Sequence, residues 1–188
     1  MAQWLALPAR TQAGLPASLP VLLAEHPLPA EQESTLVHTL QVLESLGADA
    51  ATLCAAIGFA LYPEGEVPAE LARAELIEGQ REAEKVWSIH AERGARTSSE
   101  GLRRLLLAIV KDLRVVLILL ARQLVRMRAI KTLPADDQIR LAQLSADIHA
   151  PLANRLGIGQ IKWELEDLAD PAAGNLSPHC RPGGGKTA

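Results

Sequence analysis

Three arginines in the second half of the chain are residues whose type and spacing suggest a chemical role. Arg122, Arg126 and Arg128 lie close together, and the first two are one helical turn apart. A guanidinium group can hold two phosphate oxygens at once, so Arg122 and Arg126 are candidate phosphate contacts. The alternative is that these arginines form salt bridges or extend into solvent.

Other polar residues fit structural roles better than catalytic ones. The histidines are far apart in the sequence, and we interpret His90 and His149 as surface or packing residues. Trp163 is interpreted as a packing residue rather than a platform for a nucleotide base. An acidic run follows it, and its charges are typical of a solvated helix face rather than a catalytic pair: Glu164, Glu166 and Asp167.

The cysteines and glycines do not form a recognised site. Cys54 lies in an apolar stretch and Cys180 in a Gly/Pro-rich tail, which is neither a disulfide framework nor a zinc-ligand pattern. This usage favours a reducing, cytoplasmic location. The stretch Gly183–Lys186 lacks the full P-loop spacing and no predicted strand precedes it, so a phosphate cradle is excluded. We predict no cofactor, and neither cysteine is expected to bind a metal.

Composition sets further limits. The chain has 188 residues, of which 48% are hydrophobic, enough for one core. Its 19 basic and 22 acidic residues give a net charge of −3, so nucleic acid is not an expected partner. The start lacks the pattern of a secretory signal, and charges interrupt the most apolar segment, Leu105–Leu120. That segment predicts a buried helix rather than a membrane span.

Apolar residues recur at helical spacing along most of the chain. Residues 1–30 are predicted to be a proline-rich leader with short helical turns. A first helix is predicted from Thr35 to Leu46, with Gly47 as its stop. A second is predicted from the N-cap Asp49 to Leu61, ended by Pro63.

The later segments continue this helical pattern. Further helices are predicted within 68–93, from Gly101 to Arg128 after a capping box at Thr97–Glu100, and at Ala135–Ala153 and Ile158–Leu168. No stretch alternates with period two for long. The sequence therefore predicts an all-α fold.

Two long runs carry a resemblance to a known family. They are LLLAIVKDLRVVLILLARQLVRMRAIKTLP, starting at Leu105, and IHAPLANRLGIGQIKWELEDLA, of which residues 150–167 are the more specific part. Both closely resemble the RelA/SpoT family of (p)ppGpp synthetases and hydrolases. The resemblance covers 31–169 and implies a degenerate HD-domain-like helical bundle there. The tail at 170–188 lacks apolar periodicity and is rich in Gly and Pro, which predicts disorder.

The resemblance also implies where metal ligands would stand. In family hydrolases a histidine, a His-Asp pair and a distant aspartate bind manganese, which activates water. Here Leu61 and Tyr62 stand where the pair is expected, and Arg122 and Arg126 replace the distant aspartate and the asparagine one turn later. His38 aligns with the first ligand and is the one candidate remnant.

The acidic pair that follows in active members is reduced as well. It falls at Gly65 and Glu66, and only Glu66 is acidic. The resemblance therefore implies a regulatory pseudo-hydrolase domain of a RelA-type GTP pyrophosphokinase, cut short before the synthetase domain and without enzymatic activity of its own. In its full-length relative, the expected partners are the adjacent synthetase domain and, through C-terminal domains, the ribosome and tRNA. No membrane partner is expected.

Two alternatives remain for function. One is a manganese-dependent (p)ppGpp 3′-pyrophosphohydrolase with another ligand set. The other is an independent helical module that binds a nucleotide or a protein.

The family pattern stops after Asp167. Reading codons for residues 174–187 one base later can yield ETYRRIAGRVEEKR, which resembles the family's next helix, so we interpret the tail as an out-of-frame product that the DNA sequence would test. The apolar face of the last predicted helix consists of Ile158, Ile161, Leu165 and Leu168. If this face normally packs on the missing domain, its exposure would favour aggregation or self-association.

Overall fold

The computed structural model describes residues 14–71, 73–93 and 112–170. Within these ranges all regular structure is helical, which confirms the all-α prediction. The α-helices are α1 (Leu19–Glu25), α2 (Ala30–Ser45), α3 (Ala50–Leu61), α4 (Ala74–Arg93), α5 (Leu113–Arg128), α6 (Ala135–Leu144), α7 (Ala150–Arg155) and α8 (Gly159–Ala169). A 3₁₀ turn at Ile130–Thr132 and a π-helix at Ser145–His149 complete them.

Some predicted features lie outside the described residues. They are the capping box at Thr97–Glu100, the start of the helix predicted from Gly101, the side chain of His90, and the tail with Cys180 and Gly183–Lys186. Among the residues that are described, no helix is both long enough and apolar enough to cross a membrane.

The helix α2 begins before its predicted start at Thr35. Pro29 precedes it, and Glu31 and Glu33 lie in its first turn, where carboxylates interact favourably with the helix dipole. The helix stops where predicted, because Gly47 adopts a φ of 76°, a left-handed conformation that glycine accepts without strain.

The start of α3 confirms Asp49 as its N-cap. The Asp49 carboxylate accepts a hydrogen bond from the backbone N–H of Thr52 at 2.8 Å and another from the Thr52 hydroxyl. Arg114, in the first turn of α5, lies 3.3 Å from the second carboxylate oxygen and also pairs with Asp112. The cap therefore fixes the first turn of α3 and links it to the start of α5.

We expect Asp49→Ala to lower the free energy of unfolding by about 1 kcal/mol at pH 7, because Thr52 loses its acceptor. The hydrogen bonds from the Thr52 hydroxyl and N–H, aided by Arg114, lower the pKa of Asp49 below its ordinary 3.8. Stabilisation by a carboxylate with a lowered pKa is complete above that ordinary value and disappears as the pH falls through the folded-state pKa. Urea unfolding from pH 7 to pH 2 should show the two proteins converging at the acid end; a constant difference would contradict this.

The helices α4 and α5 approach closely at a glycine. A Cβ placed on Gly79 would lie 2.8 Å from Cγ2 of Val115, a side chain that is itself buried. The absence of a side chain at this position is therefore what allows α4 to pack against α5 at this distance.

We expect Gly79→Ala to destabilise the protein by about 1 kcal/mol, because the clash outweighs the better helix propensity of alanine. Gly159→Ala is the matched control, since a Cβ on Gly159 would meet nothing within 4 Å. Thermal unfolding of both variants tests this. Equal melting temperatures for the two would show that Val115 yields without cost.

The described residues form two compact units, and the division lies within α5, between Arg122 and Gln123. Unit 1 contains α1 to α4 and the first part of α5; unit 2 contains the end of α5 and everything after it. The sequence predicted a helix buried on most sides near Val115–Leu120, and within unit 1 all of these residues except Leu117 are buried. Leu40, Leu43 and Ile57 are fully buried with them.

Unit 2 departs from the predicted continuous helix at Ala135–Ala153. The chain forms α6, the π-helix and α7 in succession, and Ala150 N–H bonds to the carbonyl of Ser145, five residues earlier. The helix widens here from α to π geometry because of Pro151. Proline has no N–H to donate to the carbonyl of Asp147, and its ring would clash with that carbonyl in a regular α-helix.

Candidate functional site

The end of α3 contains the two residues that stand where the His-Asp pair is expected. Leu61 is the last residue of the helix and is buried. Tyr62 caps the helix, and its N–H donates to the carbonyl of Gly58 at 2.9 Å. Both residues therefore serve to end α3, and Leu61 also contributes to the apolar core of unit 1.

The Tyr62 side chain is a neutral phenol. Its ring packs edge-on against His26, with centroids 4.7 Å apart. Burial, followed by the charges of Glu25 and Glu70, raises the pKa of Tyr62 above its ordinary value. A phenol that resists deprotonation is a poor ligand for a divalent cation.

Arg81 of α4 fixes the loop that follows Tyr62. Its guanidinium donates to three backbone carbonyls, those of Tyr62 at 3.0 Å, Pro63 at 3.0 Å and Gly65 at 2.8 Å. Gly65 has a φ of 79°, so the loop makes a turn that favours glycine at this position. The segment expected to carry the acidic pair is thus tied to α4 by a cation.

Arg122 of α5 is the clearest feature of the site. Its Nη2 lies 3.2 Å from Oε1 of Glu84 on α4, and its guanidinium carbon lies 4.6 Å from the centroid of the Phe59 ring on α3. Arg122 is 21% exposed and Glu84 48%. An ion pair and a cation–π contact at this position join three helices of unit 1 through one side chain.

His38, the candidate remnant of the first ligand, lies on α2 and is exposed. Its Nδ1 is 3.3 Å from Oγ of Ser34, one turn earlier. This contact is local to the helix and is the kind expected of a surface histidine.

The residues at these positions do not fit a divalent cation. Manganese is held in proteins by several carboxylate oxygens, imidazole nitrogens or other oxygen ligands that converge on one point. Leu61 offers hydrocarbon, Tyr62 a neutral phenol and Arg122 a positive charge. Across residues 14–71, 73–93 and 112–170, no three His, Cys, Asp or Glu side chains are grouped so that they could hold a metal ion.

The arginines predicted as phosphate contacts have different surroundings. Arg122 is paired with Glu84 in unit 1. Arg128, in unit 2, makes two hydrogen bonds to Glu164, at 2.6 Å and 3.0 Å. For these two the salt-bridge alternative describes what the structure contains. Arg126 is exposed.

The last helix contradicts two expectations. Ile161 and Leu165 of α8 are buried within unit 2, at 1% and 0% exposure, so two of the four residues of the face expected to be left open are covered by the fold itself. Trp163 is 70% exposed, and its interpretation as a packing residue is wrong. The reason is helical geometry: Trp163 lies two residues from each of the buried positions, so it extends from the opposite side.

Sequence reasoning missed Phe59, Arg81 and Glu84. Each comes from a helix separated in the chain from the residue it contacts, so helical periodicity carried no signal for them. No role was predicted for Arg81 or Glu84 beyond their place in the helices predicted within 68–93. The many charged residues of α4 indicate polar contacts with other elements, but their spacing in the sequence does not identify the partners.

Comparison with known proteins gives a consistent result. A model of the HD domain matches residues 25–159. The chain is similar to the GTP pyrophosphokinase of Escherichia coli (strain K12), with 39% identity over 141 residues that make up 70% of this chain and 19% of that protein.

Two further relatives match over a similar length. A probable guanosine-3′,5′-bis(diphosphate) 3′-pyrophosphohydrolase of Synechocystis is 35% identical over 147 residues, 73% of this chain and 19% of that protein. A GTP pyrophosphokinase of Streptomyces coelicolor is 36% identical over 135 residues, 68% of this chain and 15% of that protein. The chain thus spans about a fifth or less of the length of these relatives.

Proposed function

We propose a function from the family of this chain, which belongs to the HD-domain family and corresponds to the HD-domain region of RelA/SpoT proteins. The chain is a regulatory pseudo-hydrolase domain of the GTP pyrophosphokinase type. In this proposal the domain does not hydrolyse (p)ppGpp, and the relative's pyrophosphate transfer depends on a synthetase domain outside the matched region. The protein acts in the cytoplasm, in (p)ppGpp metabolism and the stringent response.

One observation supports the loss of hydrolysis above the others. The Arg122 guanidinium is held between Glu84, at 3.2 Å, and the face of Phe59, where the resemblance expects a metal-binding carboxylate. A fixed positive charge repels a divalent cation, and it also engages an acidic group nearby. Leu61 and Tyr62, where the resemblance expects the His-Asp pair, supply no carboxylate or imidazole that could compensate.

A second candidate function is (p)ppGpp 3′-pyrophosphohydrolysis with a different ligand set. It is favoured by the Synechocystis relative, whose name describes that reaction and which is nearly as similar as the pyrophosphokinases. An independent helical module that binds nucleotide or protein is the third. These candidates differ in what the purified chain does to the nucleotide.

An activity assay separates the candidates. The purified chain is incubated with (p)ppGpp and Mn²⁺, and pyrophosphate release is measured in parallel for the Synechocystis relative, whose name describes that reaction. A second reaction contains ATP and GDP. We expect no release above the protein-free rate and no synthesis.

Each result has a clear meaning. Manganese-dependent release by the chain would overturn the proposal in favour of the second candidate, and synthesis would show that pyrophosphate transfer does not need a further domain. If both reactions are silent, calorimetric titration with (p)ppGpp, GDP and ATP separates the first candidate from a nucleotide-binding module.

A further inference from the structure

Three backbone carbonyl oxygens of the loop after α3 converge on the guanidinium of Arg81. Its Nε donates to the carbonyl of Pro63 at 3.0 Å, and its Nη2 donates to the carbonyls of Tyr62 at 3.0 Å and Gly65 at 2.8 Å. The third nitrogen, Nη1, lies 3.6 Å from Oε2 of Glu78, one turn earlier on α4. The Arg81 side chain is only 20% exposed, so these protein groups rather than water satisfy most of its charge.

A cation is what allows these oxygens to lie together. Carbonyl oxygens carry partial negative charge, so three that point to one place repel one another unless a positive charge lies among them. Backbone carbonyls surround bound metal ions for the same reason. Here the cation is a side chain of α4, 16 to 19 residues after the three carbonyls. Arg81 therefore cross-links the end of α3 and its loop to the next helix.

The shape of the guanidinium matters as well as its charge. Its donors lie in one plane at fixed angles, which suits several acceptors that approach from different directions. Gly65 adopts a φ of 79°, and this turn brings the third carbonyl within reach of Nη2. A lysine ammonium is a compact point charge on a flexible stem and could not hold all three carbonyls in this geometry.

The loop is held on another side by a contact between two rings. Tyr62 packs edge-on against His26, the residue that caps the end of α1, with ring centroids 4.7 Å apart. Contacts with α1, α3 and α4 thus fix the loop, and all three helices belong to unit 1. Because Arg81 binds the Tyr62 carbonyl while the Tyr62 ring contacts His26, a change at Arg81 should be visible at the ring.

These contacts hold the loop in a region whose residues do not fit a divalent cation. We propose that Arg81 is a positioning residue that takes the cross-linking role of a metal ion, so that the loop at 62–65 keeps one conformation whether or not divalent cations are present. This inference rests on the proposed function and deepens it, because a domain held in this way can serve as a regulatory platform without manganese.

The test compares Arg81→Met with the wild type in the full 188-residue chain, since methionine fills similar space without charge. The chain has one tyrosine, so the NMR signal of an isotope-labelled tyrosine ring reports on Tyr62 alone. In Arg81→Met we expect this signal to move toward its value in the urea-unfolded chain. We also expect the Tyr62 amide to exchange about 10-fold faster or more, relative to the amide of the buried Leu43. Arg81→Lys should lie between Arg81→Met and the wild type, because lysine supplies the charge without the planar donors.

Arg140→Ala is the matched control. Arg140 also pairs with a carboxylate three residues earlier, that of Asp137 at 3.2 Å, but its contacts stay within α6. The Tyr62 signals of this variant should equal those of the wild type. In a separate arm, thermal unfolding of the wild type should give the same melting temperature in Mn²⁺ and in EDTA, because a ligand that binds only the folded state raises that temperature.

Several results would overturn the proposal. They are wild-type Tyr62 signals in Arg81→Met, equal changes in Arg81→Met and Arg140→Ala, and a higher melting temperature of the wild type in Mn²⁺, which would show that a metal ion does the cross-linking. Equal changes in Arg81→Lys and Arg81→Met would also overturn it, since charge would then contribute nothing. None of these measurements depends on (p)ppGpp hydrolysis, so the role of Arg81 and the loss of catalysis can fail separately.

Discussion

Replacing Arg122 with aspartate, the residue type that the resemblance expects at this position, is expected to destabilise the protein by about 2 kcal/mol or more without producing hydrolysis. The change removes the pair with Glu84 and the contact with Phe59, and it replaces the cation that faces Glu84 by an anion. Breaking a partly buried ion pair leaves the Glu84 charge uncompensated, and a second negative charge in the same region repels it. Urea unfolding measures the first effect, and pyrophosphate release in Mn²⁺ the second.

The control for this experiment is Arg126→Asp, one turn later on α5. Arg126 is exposed, so we expect a change of only about 0.5 kcal/mol, mainly from an acidic group near the helix C-terminus. If the two variants lose the same free energy of unfolding, the contacts of Arg122 with Glu84 and Phe59 do not stabilise the protein. If Arg122→Asp gains manganese-dependent hydrolysis, the positions of Leu61 and Tyr62 do not limit metal binding and the pseudo-hydrolase proposal is wrong.

Much of the fold could be predicted because single residues controlled it locally. Asp49 caps α3 through Thr52, and Gly47 ends the preceding segment with a positive φ; both effects act within a few residues and are visible in the sequence. The π-helix before α7 was not predicted, although Pro151, which causes it, is visible in the sequence. A proline predicts that the hydrogen-bond ladder changes, but whether the helix ends or widens depends on the packing around it.

The candidate site was predictable in composition but not in geometry. The resemblance identified Leu61, Tyr62 and Arg122 as positions of interest, and the structure shows what their side chains contact. That Arg122 stacks on Phe59 and pairs with Glu84 depends on how three helices pack, which no spacing rule contains. The prediction for Trp163 was wrong for a related reason. A large apolar side chain is expected to be buried, and only the register of α8 shows that this one faces solvent.

The second large effect is expected at a chain of buried hydrogen bonds in unit 2. Nε2 of Gln123 donates to the hydroxyl of Ser145 at 2.7 Å, and that hydroxyl donates to the carbonyl of Leu141 at 2.9 Å. Gln123 and Ser145 are 3% and 0% exposed. The link joins the end of α5 to the first residue of the π-helix, where the backbone has departed from regular α geometry.

We expect Gln123→Ala to cost about 2–4 kcal/mol, because it leaves a cavity and removes a donor from a hydroxyl that water cannot reach. Gln143→Ala, on the exposed side of α6, should stay within about 0.5 kcal/mol of the wild type. Ser145→Ala breaks the same hydrogen bond from the other end, so the loss in the double variant should be smaller than the two single losses combined. Hydrogen exchange should also quicken at residues 145–149, because a π-helix keeps its wider backbone only while surrounding contacts hold it. Additive losses, or unchanged exchange there, would mean that packing alone maintains this segment.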